Sequence, residues 1–312
     1  MRSQIGPGGG TGERTTRMAQ QISPGRRLRD ALAHTSATGP LIAPGAFDAL
    51  SAGLVQQAGF AAVYMTGFGA AASLLGEPDV GLLSAAEMAD QTRRICDATT
   101  LPVIADADTG FGNALNVART VRFYERAGAA AIQLEDQVSP KRCGHMTGKS
   151  VISRQEMTGK ITAATEARTD ADTVIVARTD AIATDGLDEA LQRARAYHAA
   201  GADVLFVEAP TNRHDVERVA AELAPEVPLL FNWAEGGRTP ALSYQEIADL
   251  GFALIIYPIG TLLAATRGVQ NFLAGLRAAG TPSLAGLPSF DEFTGIVGLP
   301  DLEALARRYD TV

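Results

Sequence analysis

The sequence contains little cysteine and no long apolar run. Its 312 residues include two cysteines, which are too few for a disulfide framework and fit a reducing compartment. No apolar stretch approaches the roughly 18–20 residues that a membrane-spanning helix needs. Residues 1–25 are rich in Gly, Arg, Ser and Thr and lack the apolar centre of a secretory signal. We therefore expect a cytoplasmic protein with a disordered tail over 1–25, in which Met18 is an alternative start.

Positive charge is also in deficit. Lys and Arg number 27 against 35 Asp and Glu, and the resulting net charge of −8 argues against nucleic acid or a membrane as partner. An anionic small-molecule substrate stays possible, because a metal ion and arginine set the field of a site locally. A hydrophobic share of 46% with 20% charged residues is typical of a soluble globular protein.

One pattern repeats along the chain: a helical stretch ends in Ala-Gly or Leu-Gly, and a short apolar run follows at once. Glycine past a helix end adopts the left-handed cap geometry, and the run behind it is typical of a buried strand. With the apolar runs that follow a proline or a turn, eight strands are predicted, starting near residues 41, 61, 103, 131, 173, 204, 229 and 254. Ser-x-x-Glu capping boxes at 84–87, 153–156 and 243–246 predict helix starts between them.

Apolar strands that alternate with helices indicate a parallel sheet covered by helices. Eight such units without a dinucleotide fingerprint favour an α/β fold of the (β/α)8 TIM-barrel type, with an open doubly wound sheet as the alternative. We expect one catalytic domain over 26–280 and a C-terminal extension over 281–312 with one short helix. The long intervals after strands 2 and 4 predict loops above the C-terminal mouth of the barrel, where such enzymes carry catalytic residues.

Polar side chains follow most of the predicted strands and should meet at that mouth. A buried carboxylate without a partner is costly, so their convergence indicates a functional site. The residues are Tyr64, Thr66 and Gly67 after strand 2, Asp106 and Asp108 after strand 3, Glu135 after strand 4, Arg178 after strand 5, Glu208 after strand 6 and Asn232 after strand 7.

Asp106 and Asp108 alternate along strand 3, so both should project to the same side. Two carboxylates that close together repel each other unless a cation lies between them. Hard oxygen ligands without a nearby His or Cys pattern suit Mg²⁺, with Mn²⁺ as the alternative. Glu135 on the next strand offers a further oxygen. A hydrogen-bonded strand end without a metal is the structural alternative.

The segment Lys141-Arg142-Cys143-Gly144-His145 is the most reactive stretch of the sequence. Basic neighbours should lower the pKa of the Cys143 thiol, which suits an acid/base or a nucleophile. Arg178 suits a substrate carboxylate, which a guanidinium holds in a two-bond fork, although a structural ion pair with Asp180 is the alternative. Thr66-Gly67-Phe68-Gly69 offers backbone amides to an anion, or forms a plain turn. Cys96 lies in a helical stretch, where we expect core packing.

These motifs resemble the isocitrate lyase/phosphoenolpyruvate mutase superfamily. The resemblance runs in order from about residue 41 to 280 and is strongest in KRCGH and in the DADTGFG that begins at Asp106. It implies a (β/α)8 barrel with a swapped C-terminal helix and a homotetramer. It also implies bound Mg²⁺ and a small 2-hydroxy or 2-oxo carboxylate as substrate.

Residue by residue, the resemblance makes Asp106 the direct metal ligand. Asp108 and Glu135 would contact metal-bound water, and Asp79, in the loop after strand 2, would close on the same site. Thr66-Gly67-Phe68 stands where lyases of the family have Ser-Gly-Gly, so Phe68 is a departure that changes the nearby pocket. The remaining residues implied to bind substrate or take part in catalysis are Tyr64, Cys143, Gly144, His145, Arg178, Glu208 and Asn232.

Cys143 matches the acid/base of the C–C lyases, which mutases of the superfamily lack. The stretches CGHMTGK and NWAEGG are similar to the 2,3-dimethylmalate lyase and petal death protein branch. The implied reaction is a retro-Claisen cleavage of an alkylmalate such as 2,3-dimethylmalate. Loss of the C2 hydroxyl proton, with Tyr64 one candidate base, releases a 2-oxo acid such as pyruvate. Cys143 then protonates the other fragment as the 137–149 loop excludes water.

Three alternatives remain open at this point. A 2-methylisocitrate lyase would need a pocket for an extra carboxymethyl arm. A phosphonate mutase or an oxaloacetate hydrolase is disfavoured by Cys143. A catalytically silent barrel that only binds a metabolite is disfavoured by the intact set of Asp106, Asp108, Glu135 and Cys143.

Overall fold

The computed structural model describes residues 22–144 and 148–309, and its centre is a parallel eight-stranded sheet. Strands pair in the order β6-β5-β4-β3-β2-β1-β8-β7, and a parallel bridge between Leu205 and Leu229 joins β6 to β7. The sheet is therefore closed, which confirms the predicted barrel over the open alternative. The strands are β1 (Leu41–Ala46), β2 (Val63–Met65), β3 (Val103–Asp106), β4 (Ala131–Glu135), β5 (Val174–Thr179), β6 (Val204–Val207), β7 (Leu230–Asn232) and β8 (Leu254–Tyr257).

Helices surround the barrel because each strand is buried on both faces and needs an apolar cover. Of the three predicted capping boxes, those at Ser84 and Ser243 are complete, whereas at Ser153 only the serine half forms, its side chain accepting from the Glu156 N–H. The helices are α1 (Pro24–Ala33), α2 (Thr35–Thr38), α3 (Ala49–Gln57), α4 (Gly67–Leu75), α5 (Ala85–Asp97), α6 (Ala114–Ala127), α7 (Arg154–Ala167), α8 (Ile182–Asp185), α9 (Leu187–Ala199), α10 (Arg213–Leu223), α11 (Tyr244–Asp249), α12 (Gly260–Ala279), α13 (Phe290–Ile296) and α14 (Leu299–Tyr309).

The structure differs from the sequence-based expectation at both ends. Helix α1 begins at Pro24, capped by Ser23, so the predicted tail extends two residues too far, and residues 1–21 lie outside the described ranges. The C-terminal extension carries two helices, α13 and α14, rather than the one short helix expected. Among the described residues, no helix has the length and apolar character to cross a bilayer.

Helix α12 follows β8 directly, at the place of the eighth barrel helix, yet it buries none of its 20 residues. Thr261 ties its first turn to β1 through a 2.7 Å hydrogen bond to the Gly45 carbonyl. From Leu263 onward most of α12 is exposed. An apolar groove lies between α3 and the first turns of α12, lined on the α12 side by Thr261 and Ala265.

Candidate active site

A cavity of about 250 Å³ opens at the carboxyl ends of the strands. Parallel strands deliver their last residues to the same mouth, which explains how side chains far apart in sequence meet there. The polar part of its wall is formed by Tyr64, Thr66, Asp79, Asp106, Cys143, Arg178, Glu208, Asn232 and Glu235, and the apolar part includes Phe68, Phe206, Ile256, Pro258 and Ile259.

The two aspartates after β3 lie close together beneath helix α4. Asp106 ends the strand, and its Oδ1 accepts from the Asp108 N–H at 3.0 Å. Asp108 stands just beyond the strand with φ +48°, a strained conformation for a non-glycine residue. A Cβ added at Gly67 would lie 2.6 Å from Asp106 Oδ2 and 3.5 Å from Asp108 Oδ1. Gly67 therefore lets the helix approach both carboxylates.

Lys141 lies within this acidic group. Its ammonium is 2.6 Å from Asp79 Oδ1 and 2.8 Å from Asp108 Oδ1, and the side chain is 5% exposed. Burial disfavours the charged ammonium, yet Asp108 and Asp79 hold the pKa of Lys141 well above its usual value. The ion pairs clasp the loop after β2 to the loop after β4, and the Cys143 N–H strengthens the clasp by donating to the Asp79 carbonyl at 3.1 Å.

Arg178 is held in place by two carboxylates. Its Nε and Nη2 donate to Asp180 Oδ2 and Oδ1 at 2.9 and 3.0 Å, and its Nη1 lies 3.2 Å from Glu135 Oε2. Burial raises the pKa of Glu135 well above its usual range, although Arg178 opposes the shift. The sequence left open whether Arg178 pairs with Asp180 or faces a ligand; in the structure it pairs with Asp180 and also lines the cavity.

The loop after β4 carries Cys143 to the cavity. Cys143 is half-buried, and Gly144 behind it is buried against Arg178 and Glu208. A Cβ at Gly144 would overlap with Glu208 Oε1 and Arg178 Nη2, so the loop can lie this low only with glycine there. His145, predicted to bind substrate, lies outside the described residues.

Helix α4 points its N-terminus at the cavity. Thr66 caps it by accepting from the Gly69 N–H at 3.2 Å. The amides of Gly67 and Phe68 belong to the first turn, where helix N–H groups have no intrahelical partner and the helix dipole favours an anion. The predicted anion-binding turn is thus the start of a helix.

Tyr64 is buried, and its hydroxyl donates to Gln133 Oε1 at 3.2 Å. Burial, and then the negative charge of Asp106, raise the pKa of Tyr64 well above its usual value. In this structure the phenol is therefore a hydrogen-bond donor.

The carboxylates of Asp79, Asp106, Asp108 and Glu135 are the candidate oxygen ligands for a metal ion. In the ranges 22–144 and 148–309, no three Asp, Glu, His or Cys side chains meet at metal-ligand distances, since Lys141 separates Asp79 from Asp108. Among the same residues, the buried oxygen Glu135 Oε1 accepts no hydrogen bond, whereas Asp108 Oδ1 lies 2.8 Å from the Lys141 ammonium. A buried carboxylate oxygen without a hydrogen-bond donor suits a hard divalent cation or its bound water, so the donor chemistry fits.

Sequence reasoning missed several parts of this site. Glu235 lines the cavity and its Oε2 accepts from the Ile259 N–H at 3.3 Å, at the start of α12. The motif NWAEGG, which contains Glu235, was the available indication. The apolar wall of Phe206, Ile256, Pro258 and Ile259 gave none, because an apolar residue at a strand end is indistinguishable from core.

The chain belongs to the phosphoenolpyruvate phosphomutase family, whose model matches residues 28–277. It is 47% identical over 273 residues to the 2,3-dimethylmalate lyase of Eubacterium barkeri, covering 87% of this chain and 94% of the relative. It is 45% identical over 260 residues to the 2-methylisocitrate lyase of Salmonella typhimurium, covering 83% and 86%. Both relatives are lyases, and the chain is a carbon–carbon lyase of the same family.

Solved structures agree with this assignment. A crystal structure of 2,3-dimethylmalate lyase, described as a PEP mutase/isocitrate lyase superfamily member, matches with a TM-score of 0.88 and 38% identity, over 93% of this chain and 96% of that chain. Phosphonopyruvate hydrolase in complex with oxalate and Mg²⁺ matches with a TM-score of 0.83 and 34% identity, over 93% and 100%. The barrel and its superfamily are therefore established.

Proposed function

We propose that this enzyme is a Mg²⁺-dependent lyase that cleaves the C2–C3 bond of alkylmalates such as 2,3-dimethylmalate. The products would be a 2-oxo acid, pyruvate in that case, and a carboxylic acid. One observation carries the proposal: a single cavity joins carboxylate oxygens, the Arg178 guanidinium, the Cys143 thiol and an apolar wall.

Asp106 would hold the ion directly, because its carboxylate faces the cavity. Asp108 and Glu135, which do not line the cavity, would reach the ion through water, and Asp79 would close over it. This arrangement needs no cluster of three protein ligands and suits Mg²⁺, which usually keeps several waters, with Mn²⁺ as the alternative. When bound, the cation would lower the pKa of the C2 hydroxyl of the substrate.

Arg178 would hold a substrate carboxylate with a cavity-facing N–H while Asp180 and Glu135 keep its plane fixed. The amides of Gly67 and Phe68 would donate hydrogen bonds to a second anionic oxygen at the N-terminus of α4. Asn232 and Glu208, joined by a 3.2 Å hydrogen bond, lie beside Arg178 and would line the remaining polar wall. A dicarboxylate would thus be held at both ends.

Cys143 would act as the acid. As the C2 hydroxyl gives up its proton, which passes to solvent, the C2–C3 bond breaks, C2 becomes a carbonyl, and the bonding electron pair stays on C3. The thiol then gives its proton to C3, and after the products leave the thiolate recovers a proton from solvent, so no net proton is gained or lost. With Gly144 packed on Arg178 and Glu208, the loop would keep other water from competing for the carbanion.

The cavity wall favours an alkylmalate over 2-methylisocitrate. Phe68, Phe206, Ile256 and Ile259 offer apolar contacts to alkyl substituents. Among the described residues that line the cavity, Arg178 is the one cationic side chain. A third carboxylate would therefore be desolvated without a matching charge, which is costly.

Oxo-acid release from a panel of substrates tests the proposal: 2,3-dimethylmalate, 2-ethyl-3-methylmalate, 2-methylisocitrate, oxaloacetate and phosphonopyruvate, each with Mg²⁺ or EDTA. We expect kcat/KM for an alkylmalate to exceed that for 2-methylisocitrate by about tenfold or more, with no turnover in EDTA. Preference for 2-methylisocitrate would make the enzyme a methylisocitrate lyase. Turnover of phosphonopyruvate or oxaloacetate alone would assign it to the hydrolases, and an inert panel would leave a metabolite-binding barrel.

A further inference from the structure

We propose that Lys149 is a positioning residue that locks the Cys143 loop onto Arg178 through Asp180. The inference rests on the proposed function, in which Cys143 is the acid and Arg178 binds a carboxylate. It assigns a role to a lysine that does not line the cavity.

Lys149 joins two parts of the site that are separate in sequence. Its ammonium donates to Asp180 Oδ1 at 2.7 Å and also to the carbonyl of Gly144, the residue next to Cys143. The side chains of Lys149 and Asp180 are 2% and 0% exposed. A buried ammonium loses its hydration, so these two acceptors determine where it lies. Lys149 therefore fixes the backbone immediately beside the thiol.

Asp180 is a firm anchor for this contact. Its Oδ1 receives both the Lys149 ammonium and Arg178 Nη2, while its Oδ2 receives Arg178 Nε. Its backbone N–H donates to the buried Asp136 at 2.9 Å. Burial alone would raise the pKa of Asp180, but Arg178 and Lys149 together hold it below its ordinary value, so the carboxylate stays charged. The same carboxylate thus orients the guanidinium and secures the loop.

Gly144 completes the coupling from the other side. Its Cα packs so closely on Arg178 Nη2 and Glu208 Oε1 that a Cβ would overlap with both. The loop can therefore lie this close only while Arg178 keeps its present orientation. Loss of Lys149 should release the loop while leaving Arg178 its fork to Asp180.

The rate at which Cys143 is alkylated measures how readily its loop opens, and the measurement needs no substrate. Iodoacetamide is mixed with wild type, Lys149→Met and Lys149→Arg, and modified peptides are quantified by mass over time. We expect Lys149→Met to react about tenfold or more faster at Cys143, because local opening of the loop exposes the thiol. Lys149→Arg, which keeps a charged donor, should stay within about threefold of wild type. Equal rates in wild type and Lys149→Met would overturn the inference.

The chain supplies two controls. Burial raises the pKa of Cys96 to about 12, so this thiol should react slowly while the fold is intact and faster when it unfolds. Lys160 is also buried and donates to a backbone carbonyl, that of Thr109, in a different loop. Lys160→Met should leave the rate at Cys143 unchanged. If Lys149→Met unfolds, Cys96 will be modified as well. Lys149→Gln, which keeps an uncharged donor toward Asp180, then takes its place, and its Cys143 should again be alkylated faster than that of wild type.

Turnover in D₂O then links the loop to the reaction. A thiol fixed on one face of C3 delivers deuterium to one face of the released carboxylic acid. Lys149→Met should lower kcat by about 100-fold with KM changed far less, and should make the labelled product partly racemic. A lower kcat with full stereochemical purity would contradict positioning. If wild type cleaves no malate, the alkylation result still decides the loop anchor, so the two proposals fail separately.

Discussion

At the scale of single residues, Gly67 is the position where a helix backbone approaches the two aspartates of the site. A Cβ there would lie 2.6 Å from Asp106 Oδ2, which is closer than two unbonded atoms tolerate. We expect Gly67→Ala to displace the carboxylate and to weaken Mg²⁺ binding by about tenfold or more, as measured by calorimetry. Gly159→Ala, in helix α7, adds a Cβ with nothing within 4 Å at a position without positive φ and is the control. Unchanged Mg²⁺ affinity in Gly67→Ala would show that Asp106 is not a ligand.

Asp108 gives the site a pH dependence. Burial raises the pKa of this carboxyl to about 6, with Lys141 opposing and Asp106 and Asp79 adding to the shift. A cation needs the ionised form, so Mg²⁺ affinity should fall as pH drops through 6. We expect binding about tenfold weaker at pH 5 than at pH 8, with proton release near pH 6. Asp108→Asn should flatten this dependence, and a flat profile in wild type would exclude Asp108 from the metal environment.

The positions of the aspartates could be predicted from the sequence, whereas Lys141 could not be placed. Asp106 and Glu135 end apolar strands, and strand order alone delivers them to the same mouth. Lys141 was expected beside Cys143 as a source of positive charge. Its ion pair with Asp79 spans 62 residues and depends on how two loops fold over each other, which no local pattern records.

At the scale of elements, the ion pairs of Lys141 with Asp79 and Asp108 stabilise the loops after β2 and β4. A bound Mg²⁺ should stabilise the same carboxylates. Without the Lys141 ammonium, Asp79 and Asp108 would be left as buried carboxylates that repel each other, and breaking such a pair costs about 3–5 kcal/mol. Lys141→Met should therefore melt at a lower temperature than wild type in EDTA. Mg²⁺ should raise that melting temperature more than it raises the wild-type value.

Lys160→Met provides the comparison for this prediction, since Lys160 donates to a carbonyl rather than to a carboxylate. Its melting temperature should respond to Mg²⁺ as wild type does. If Mg²⁺ raises the melting temperature of Lys141→Met no more than that of wild type, Mg²⁺ and the Lys141 ammonium do not act on the same carboxylates.

Strands and capped helices were predictable as elements, because apolar runs and Ser-x-x-Glu boxes are local. The eight strands start within two residues of the predicted positions. The residues of α12 do not distinguish it from a barrel helix, because its sequence carries the same apolar pattern. The family resemblance alone implied a swapped C-terminal helix, and the structure shows that α12 buries none of its 20 residues.

At the scale of the whole molecule, the C-terminal arm presents apolar surface that a lone chain leaves in water. Large apolar side chains on α12 to α14 and the α12–α13 connection are at least 40% exposed, namely Leu263, Val269, Leu273, Leu284, Leu287, Phe290, Phe293, Leu299, Leu302, Leu305 and Tyr309. So many exposed large apolar side chains indicate an interface. The groove beside α3, lined by Pro44, Leu50, Leu54 and Phe60, is also apolar, and we expect it to receive the arm of another chain.

We therefore expect a homotetramer in which arms exchange between chains, with a mass by light scattering four times that of the chain. Phe290→Asp combined with Phe293→Asp should dissociate it, because charge is introduced into the interface. Leu115→Asp is the matched control, since Leu115 on α6 is 80% exposed and Phe290 81%. A monomeric wild type would contradict this assembly.

The most direct test of the account is pyruvate release from 2,3-dimethylmalate by wild type, Cys143→Ala and Cys96→Ala, each with Mg²⁺ and with EDTA. The account predicts Mg²⁺-dependent turnover in wild type and Cys96→Ala, and a loss of about 100-fold or more in Cys143→Ala. Full activity in Cys143→Ala, or turnover that persists in EDTA, would contradict a metal-dependent lyase with a cysteine acid.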